Sequence, residues 1–396
     1  MKATRMAFSG DFAKRKMETA WGMLIGDSMA MPVHWYYKPH LIKRDYNGYI
    51  KKFEAPHDVH PTCILTNSDP DGAGRSDGKS KVSKPVIGGI ILHDKLQYWT
   101  GKSTHYHRGM KAGENTLNSV VCLKVTFQTM HDIDADVSMD PRKFRGKWLE
   151  KYVAFMTTPD THNDTYAESF HRMFFRDWSQ LPTPPTDAQG LLNFCEQRYS
   201  KVTPANEDHQ IPVIGAFSMA VPWIVHYSGK SEDECAKNTV EAIKLTHPAP
   251  TLEAYVDLYA RLLYRVINGA DLKTEALKMS KNPLFGRKGK VIEKFCAESS
   301  EHEAGSDEAY MFYQEAVAIL GMACYIDGSM PSMLFLASCC HDNFRAGVLS
   351  NANAGGENAH RGAALGALLG ANSVSHGTAI PQGWKDQLAQ KVTFSV

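Results

Sequence analysis

The sequence lacks the features that mark several large classes of protein. Its eight cysteines (Cys63, Cys122, Cys195, Cys235, Cys296, Cys324, Cys339 and Cys340) form no C-x-x-C pair and show no zinc-ligand spacing. That excludes a zinc ribbon or a dithiol redox motif, and points to free thiols in a reducing compartment. Charge of one sign is missing too: 44 Lys and Arg face 43 Asp and Glu across 396 residues. No bulk field draws the chain to nucleic acid or to an anionic membrane. The longest uncharged run, Gln210 to Tyr227, is broken by Pro212 and Pro222, so no membrane span is expected. The first residues lack a long apolar segment of signal-peptide type, and the expected location is cytoplasmic. No alternating strand pattern leads into a two-residue hairpin turn.

What is present reads as helix. Leu252, Tyr255, Val256, Tyr259, Leu262, Leu263 and Val266 recur at steps of three and four, giving one apolar face. Ser231 followed by Glu234 is a capping box, opening a helix that runs to Thr246-His247-Pro248. Further helices are expected over 14–30, 115–131, 142–156, 164–177, 210–226, 307–325, 332–348 and 359–373. The fold class is all-α, a compact orthogonal multi-helix bundle forming one domain over 1–396. Pro, Gly and Asp concentrate between 37 and 87 and predict a long irregular loop there. The Leu181-Pro-Thr-Pro-Pro-Thr186 break reads as a connection between helices.

The densest chemistry lies at Asn353-Ala-Gly355-Gly356-Glu357-Asn358-Ala359-His360-Arg361, which runs into a helix rich in Gly and Ala. Two glycines allow a tight turn, and a helix N-terminus offers unsatisfied N–H groups to a ligand. The same residues equally describe a capped, close-packed helix with no ligand. Asp164, Glu168 and His171 stand at i, i+4 and i+7 and predict one helix face, solvated or turned into a cleft. His105 and His107 share a face if extended, as a metal pair would.

Three segments in order resemble the ADP-ribosylglycohydrolase family. Gly22-Met-Leu-Ile-Gly26-Asp27-Ser-Met-Ala-Met-Pro32 is similar to its opening helix. Thr246-His247-Pro248-Ala-Pro250 is similar to its central turn. Gly355-Gly356-Glu357, the small-residue helix and Ile380-Pro381-x-x-Trp384 are similar to its C-terminal signature. The resemblance implies an all-helical fold whose cleft holds two magnesium ions that orient a ribose for hydrolysis at its anomeric carbon. The family also includes the J-type crystallins, so fold and activity are separate questions.

Carried over residue by residue, the family's C-terminal ligand pair falls on Glu357 and Ala359, with Asn358 between them and His360 next. Its Thr-Asp-Asp-Thr run falls on Glu114, Asn115 and Thr116. The acidic residue seven places after Asp27 becomes His34. Magnesium is therefore doubtful, since neutral or nitrogen donors stand where carboxylates are required. No organic cofactor is expected, and nothing sets the oligomeric state.

The expected activity is hydrolysis of a glycosidic C–N or C–O bond of a small ribosyl- or sugar-like substrate. Glu357, Glu114, His34 and Asp27 would be catalytic, and Glu357 and Glu114 would hold any metal. Asn115, Thr116, Asn358, His360, Gly355, Gly356 and Asp164 would position the substrate. The alternative is a non-catalytic, crystallin-like or ligand-binding protein that retains the fold.

Overall fold

Caps and apolar spacing set the helices where the sequence places them most clearly. Ser231 and Glu234 close a reciprocal capping box before the helix Glu232–Ile243. Pro250 opens the helix Pro250–Ile267, which buries Leu252, Tyr255, Val256, Tyr259, Leu262, Leu263 and Val266. The chain is all-α. In this computed structural model residues 2–72, 85–99, 103–132, 139–376 and 378–393 are described, and among them the only β pairings are isolated bridges.

Several boundaries differ from expectation for local reasons. The helix expected over 332–348 is two, Ile326–Cys339 and Phe344–Asn353, because Asn343 accepts a hydrogen bond from the Ala346 N–H and caps a new start. The helix expected over 307–325 stops at Leu320, before Gly321. The one expected over 164–177 begins only at Ser169, so Asp164 and Glu168 precede it and do not share its face. The expected 115–131 helix runs Leu117–Val121, continues as a π-helix over Cys122–Phe127, and resumes at Gln128–Asp132. Segment 37–87 carries a short helix, His40–Asp45, and a 3-10 turn, Leu65–Asn67; residues 73–84 lie outside the described residues.

The helix Lys2–Ala30 lies along the helix Asn358–His376. A methyl group at Gly22 would land on the Gly366 carbonyl, and one at Gly26 on the Gly362 carbonyl. Small residues bring the two backbones into contact here, and that contact fixes the far end of the first helix against the Gly355-Gly356 turn. Gly355 and Gly356 take φ of 67° and 63°, values that disfavour any side chain. The turn pairs with residues 33–37: the Trp35 N–H donates to Gly356 O at 2.8 Å, and the Gly356 N–H to Tyr36 O at 3.0 Å. The buried Arg361 secures it from below, donating to Gly355 O at 2.9 Å and to Asn351 Oδ1 at 2.8 Å.

Candidate functional site

The docked turn and the end of the first helix bring Glu357 and His34 together inside the protein. His34 Nε2 lies 2.9 Å from Glu357 Oε1, and His34 Nδ1 lies 2.7 Å from His107 Nε2. His107 Nδ1 in turn lies 2.7 Å from Asp164 Oδ1. On the other side, His360 Nδ1 stands 2.7 Å from Glu357 Oε1 and 3.4 Å from Glu168 Oε1. The first of these is an ion-pair distance off the axis of a hydrogen bond, so His360 Nδ1 makes none among the described residues. Glu168 Oε2 accepts from Asn118 Nδ2 at 2.6 Å. Six acids and imidazoles thus continue one another through the core, all nearly inaccessible to solvent.

Counting protons shows how this chain is charged. Three contacts link Asp164, His107, His34 and Glu357, and each needs one hydrogen. Two neutral imidazoles supply only two. With both carboxylates ionised, the His107–His34 pair therefore carries one extra proton. Burial holds His34 down to about 3, with the neighbouring Glu357 charge working the other way. A neutral His34 then donates to Glu357. Burial raises the Glu357 carboxyl, but His34 and His360 outweigh it and hold the group well below the ordinary carboxylate range. His360 resists burial through Glu168 and Glu357 and is raised to about 10, an imidazolium at neutral pH. Glu168 is raised, by burial first.

The structure assembles most of the sequence-predicted residues, in roles partly different from those expected. Asp27 accepts from Asn115 Nδ2 at 2.9 Å, the Thr116 N–H at 2.8 Å and Thr116 Oγ1 at 2.6 Å, and burial raises its carboxyl against those bonds. Asn358 donates to Val33 O at 3.2 Å and Ala352 O at 2.7 Å, which ties the turn to the end of the first helix. Asp164 accepts the Leu117 N–H at 2.7 Å, capping the inner helix start as well as holding His107. Glu114 departs from expectation. Half-buried, it accepts from the Lys111 N–H at 2.7 Å and Asn163 Nδ2 at 3.0 Å, and no hydrogen bond or ion pair joins it to Glu357. The Glu114 carboxylate closes its own Lys111 turn. Glu168 is the second carboxylate that faces His360 beside Glu357. Gly215 makes the space for it, since a methyl group there would strike the Glu168 carboxylate. His105 and His107 do not act as a pair: His105 caps Pro32 O at 3.0 Å, and His107 alone enters the chain, against the Asp164 carboxylate.

An aromatic cavity of about 230 Å³ adjoins this cluster, with Trp35, Tyr37, Tyr106, Tyr166 and Tyr325 among its walls. Trp35 stacks on His34 with ring centroids 3.7 Å apart, and its backbone sits at φ 62°. A bulky residue in that region is strained, and such strain concentrates at ligand sites. Tyr37 feels the Glu357 charge, which adds to burial in raising its hydroxyl. A larger cleft of about 460 Å³ lies beside Arg176, Asp177 and Arg198, where the charges pair with one another.

His34, Glu357 and His360 offer ligand atoms within 4.8 Å of one another, a group that can hold a metal ion. The two-magnesium arrangement does not fit it. Two of its three donors are imidazole nitrogens, whereas magnesium requires hard oxygens in near-octahedral array. Nor do the contacts have ligand spacing. Donors bound tetrahedrally at zinc stand roughly 3.4 Å apart, whereas His360 Nδ1 and Glu357 Oε1 are 2.7 Å apart.

Helical architecture, the docked Gly-Gly-Glu turn and the buried acid cluster together define a class, and comparison with known proteins agrees. The profile of the ADP-ribosylglycohydrolase family matches residues 9–395. The chain belongs to the ADP-ribosylglycohydrolase family. Among curated proteins none matches the sequence. A solved structure described as an ADP-ribosylglycohydrolase-related protein complex is similar over 96% of this chain and 93% of that one, at 14% identity and a TM-score of 0.49.

Proposed function

We propose that the protein is a hydrolase of a glycosidic C–N or C–O bond in a small ribosyl- or sugar-like substrate, working through Glu357 and Glu168. One observation carries this reading. Glu357 is held ionised through Oε1 by two histidines, while its Oε2 is buried and has no partner among the described residues. A buried carboxylate oxygen left unpaired is costly, and such atoms concentrate where a ligand completes them. In the proposed reaction Oε2 accepts a proton from the attacking water. Glu168, raised by burial, donates to the leaving atom. His360 stands between the two and stabilises negative charge on either. The aromatic walls suit the flat face of a base or sugar ring. Asp27, Asn115, Thr116, Asn358 and the Gly355-Gly356 turn position the pair and do not touch substrate in this reading.

The experiment is a panel of N- and O-ribosides assayed for release of the free sugar. Turnover is expected, and Glu357→Gln should lower it about 10²–10⁴-fold. Full turnover by that variant would refute the assignment. One observation favours the crystallin-like alternative: Glu357 is fully buried and His360 nearly so. That reading stands if no riboside is turned over and none raises the thermal midpoint. A cytoplasmic location is supported by eight free cysteines and by the absence, among the described residues, of any helix long and apolar enough to cross a membrane.

A further inference from the structure

Away from the acid cluster, Cys296 in the helix Lys288–Glu298 faces Cys339, the last residue of the helix Ile326–Cys339. Their sulfurs are 3.0 Å apart, and both residues are half-buried, so small oxidants have access. Other thiols are arranged differently. Cys122 donates to Ser218 O at 3.1 Å and Cys235 to Ile224 O at 3.6 Å, each fully buried as a structural group. The two sulfurs are also unlike each other. The Cys339 thiol hydrogen-bonds to Cys296 and lowers its pKa, aided by the Ser338 hydroxyl and the Lys273 charge, whereas burial raises Cys339. Two sulfurs in contact, one of which ionises more readily than the other, form the arrangement that attacks an oxidant and then resolves to a disulfide.

We infer that Cys296 and Cys339 form an oxidation site for hydrogen peroxide, with Cys296 attacking and Cys339 resolving. The Cys296 thiolate attacks one peroxide oxygen, the O–O bond breaks, and the departing hydroxide takes a proton to become water. Cys296 is then a sulfenic acid. The Cys339 sulfur attacks the Cys296 sulfur, the S–O bond breaks, and a second water leaves with the Cys339 proton. Two electrons pass from the thiol pair to the peroxide, which is reduced to two waters. The product disulfide ties the helix Lys288–Glu298 to the end of Ile326–Cys339, whose opposite end follows the cavity residues Ala323, Cys324 and Tyr325. This site is independent of the proposed hydrolysis.

The test uses the full chain treated with equimolar hydrogen peroxide, then alkylated and digested. Denatured thiols should fall from eight to six, and the peptides bearing Cys296 and Cys339 should be joined with loss of two hydrogens. Dithiothreitol should restore all eight. In Cys339→Ser, a sulfenic-acid probe such as dimedone should label Cys296; in Cys296→Ser it should leave Cys339 unlabelled. An unchanged thiol count, or a disulfide mapped to any other pair, overturns the proposal without recourse to the variants. Labelling of Cys339 in Cys296→Ser overturns the assignment of the attacking sulfur.

Discussion

At the level of single residues, the site depends on one imidazolium shared between two acids. His360→Ala removes the cation that Glu357 and Glu168 both face, leaving buried charge uncompensated. Breaking such a buried pair costs about 3 kcal/mol, and denaturant unfolding at pH 7 should show a loss of that order. Adding Glu357→Gln to His360→Ala should recover part of it, because the orphaned charge goes with the carboxylate. If the double variant is less stable than His360→Ala alone, the shared-cation account fails. The sequence exposed Glu357 and His360 through their neighbours in one motif. It raised Glu168 only as one acid beside Asp164 and His171, and His107 only beside His105; it could not show the space left by Gly215 or the contact with His34. Both contacts are made across long stretches of chain, where spacing carries no signal. Glu114 shows the converse: a motif position filled by an acid that folds back on its own turn.

Between elements, the governing contact is the one between the helices Lys2–Ala30 and Asn358–His376. Gly26→Leu would drive a side chain into the Gly362 carbonyl, with backbone on the far side and nothing flexible to give way. Overpacking of this kind costs about 1–3 kcal/mol. Because Asp27 follows directly, the variant should also lose any riboside turnover that the assay detects; an unchanged thermal midpoint would contradict the packing. Gly362 and Gly366 were visible in the sequence as part of a close-packed helix, though not that it met Gly22 and Gly26 of the first. Caps were legible where side chain and backbone act within four residues, as at Ser231 and Glu234. They were missed where a short polar residue, Asn343, stops one apolar run and starts another. The helices Ala188–Ser200, Leu272–Ser280 and Lys288–Glu298 were not anticipated; each is short or mostly half-exposed, with few apolar residues to set a period.

Over the whole molecule, buried histidines set the response to acid. Burial lowers His34 and His247 to about 3, His60 and His162 to about 4, and His105 and His171 well below their ordinary value. The unfolded chain takes up protons at these residues below pH ~6.5 while the folded chain does not. Their contribution is therefore complete above that pH and is lost as the pH falls toward the folded values. Each therefore favours unfolding once the unfolded form is protonated, and the fold should lose stability steadily as the pH falls below ~6.5, as circular dichroism across a pH series would show. His360 works in the opposite direction. Its raised value, about 10, stabilises the fold fully below pH ~6.5, and that share is lost progressively as the pH rises toward 10. Magnesium should leave the thermal midpoint unchanged, since the donor set does not suit it; a rise of several degrees would contradict that fit.

The glycine contact between the first helix and the Gly/Ala-rich helix also has a consequence in time. Gly22 leaves the ribosome more than three hundred residues before Gly366 does. At about 5–20 residues per second the apolar face of the first helix waits on the order of twenty seconds to a minute for its partner. During synthesis that face is exposed, and the Glu357 turn cannot form until the helix behind it exists. The acid cluster is therefore among the last parts of the molecule to be assembled.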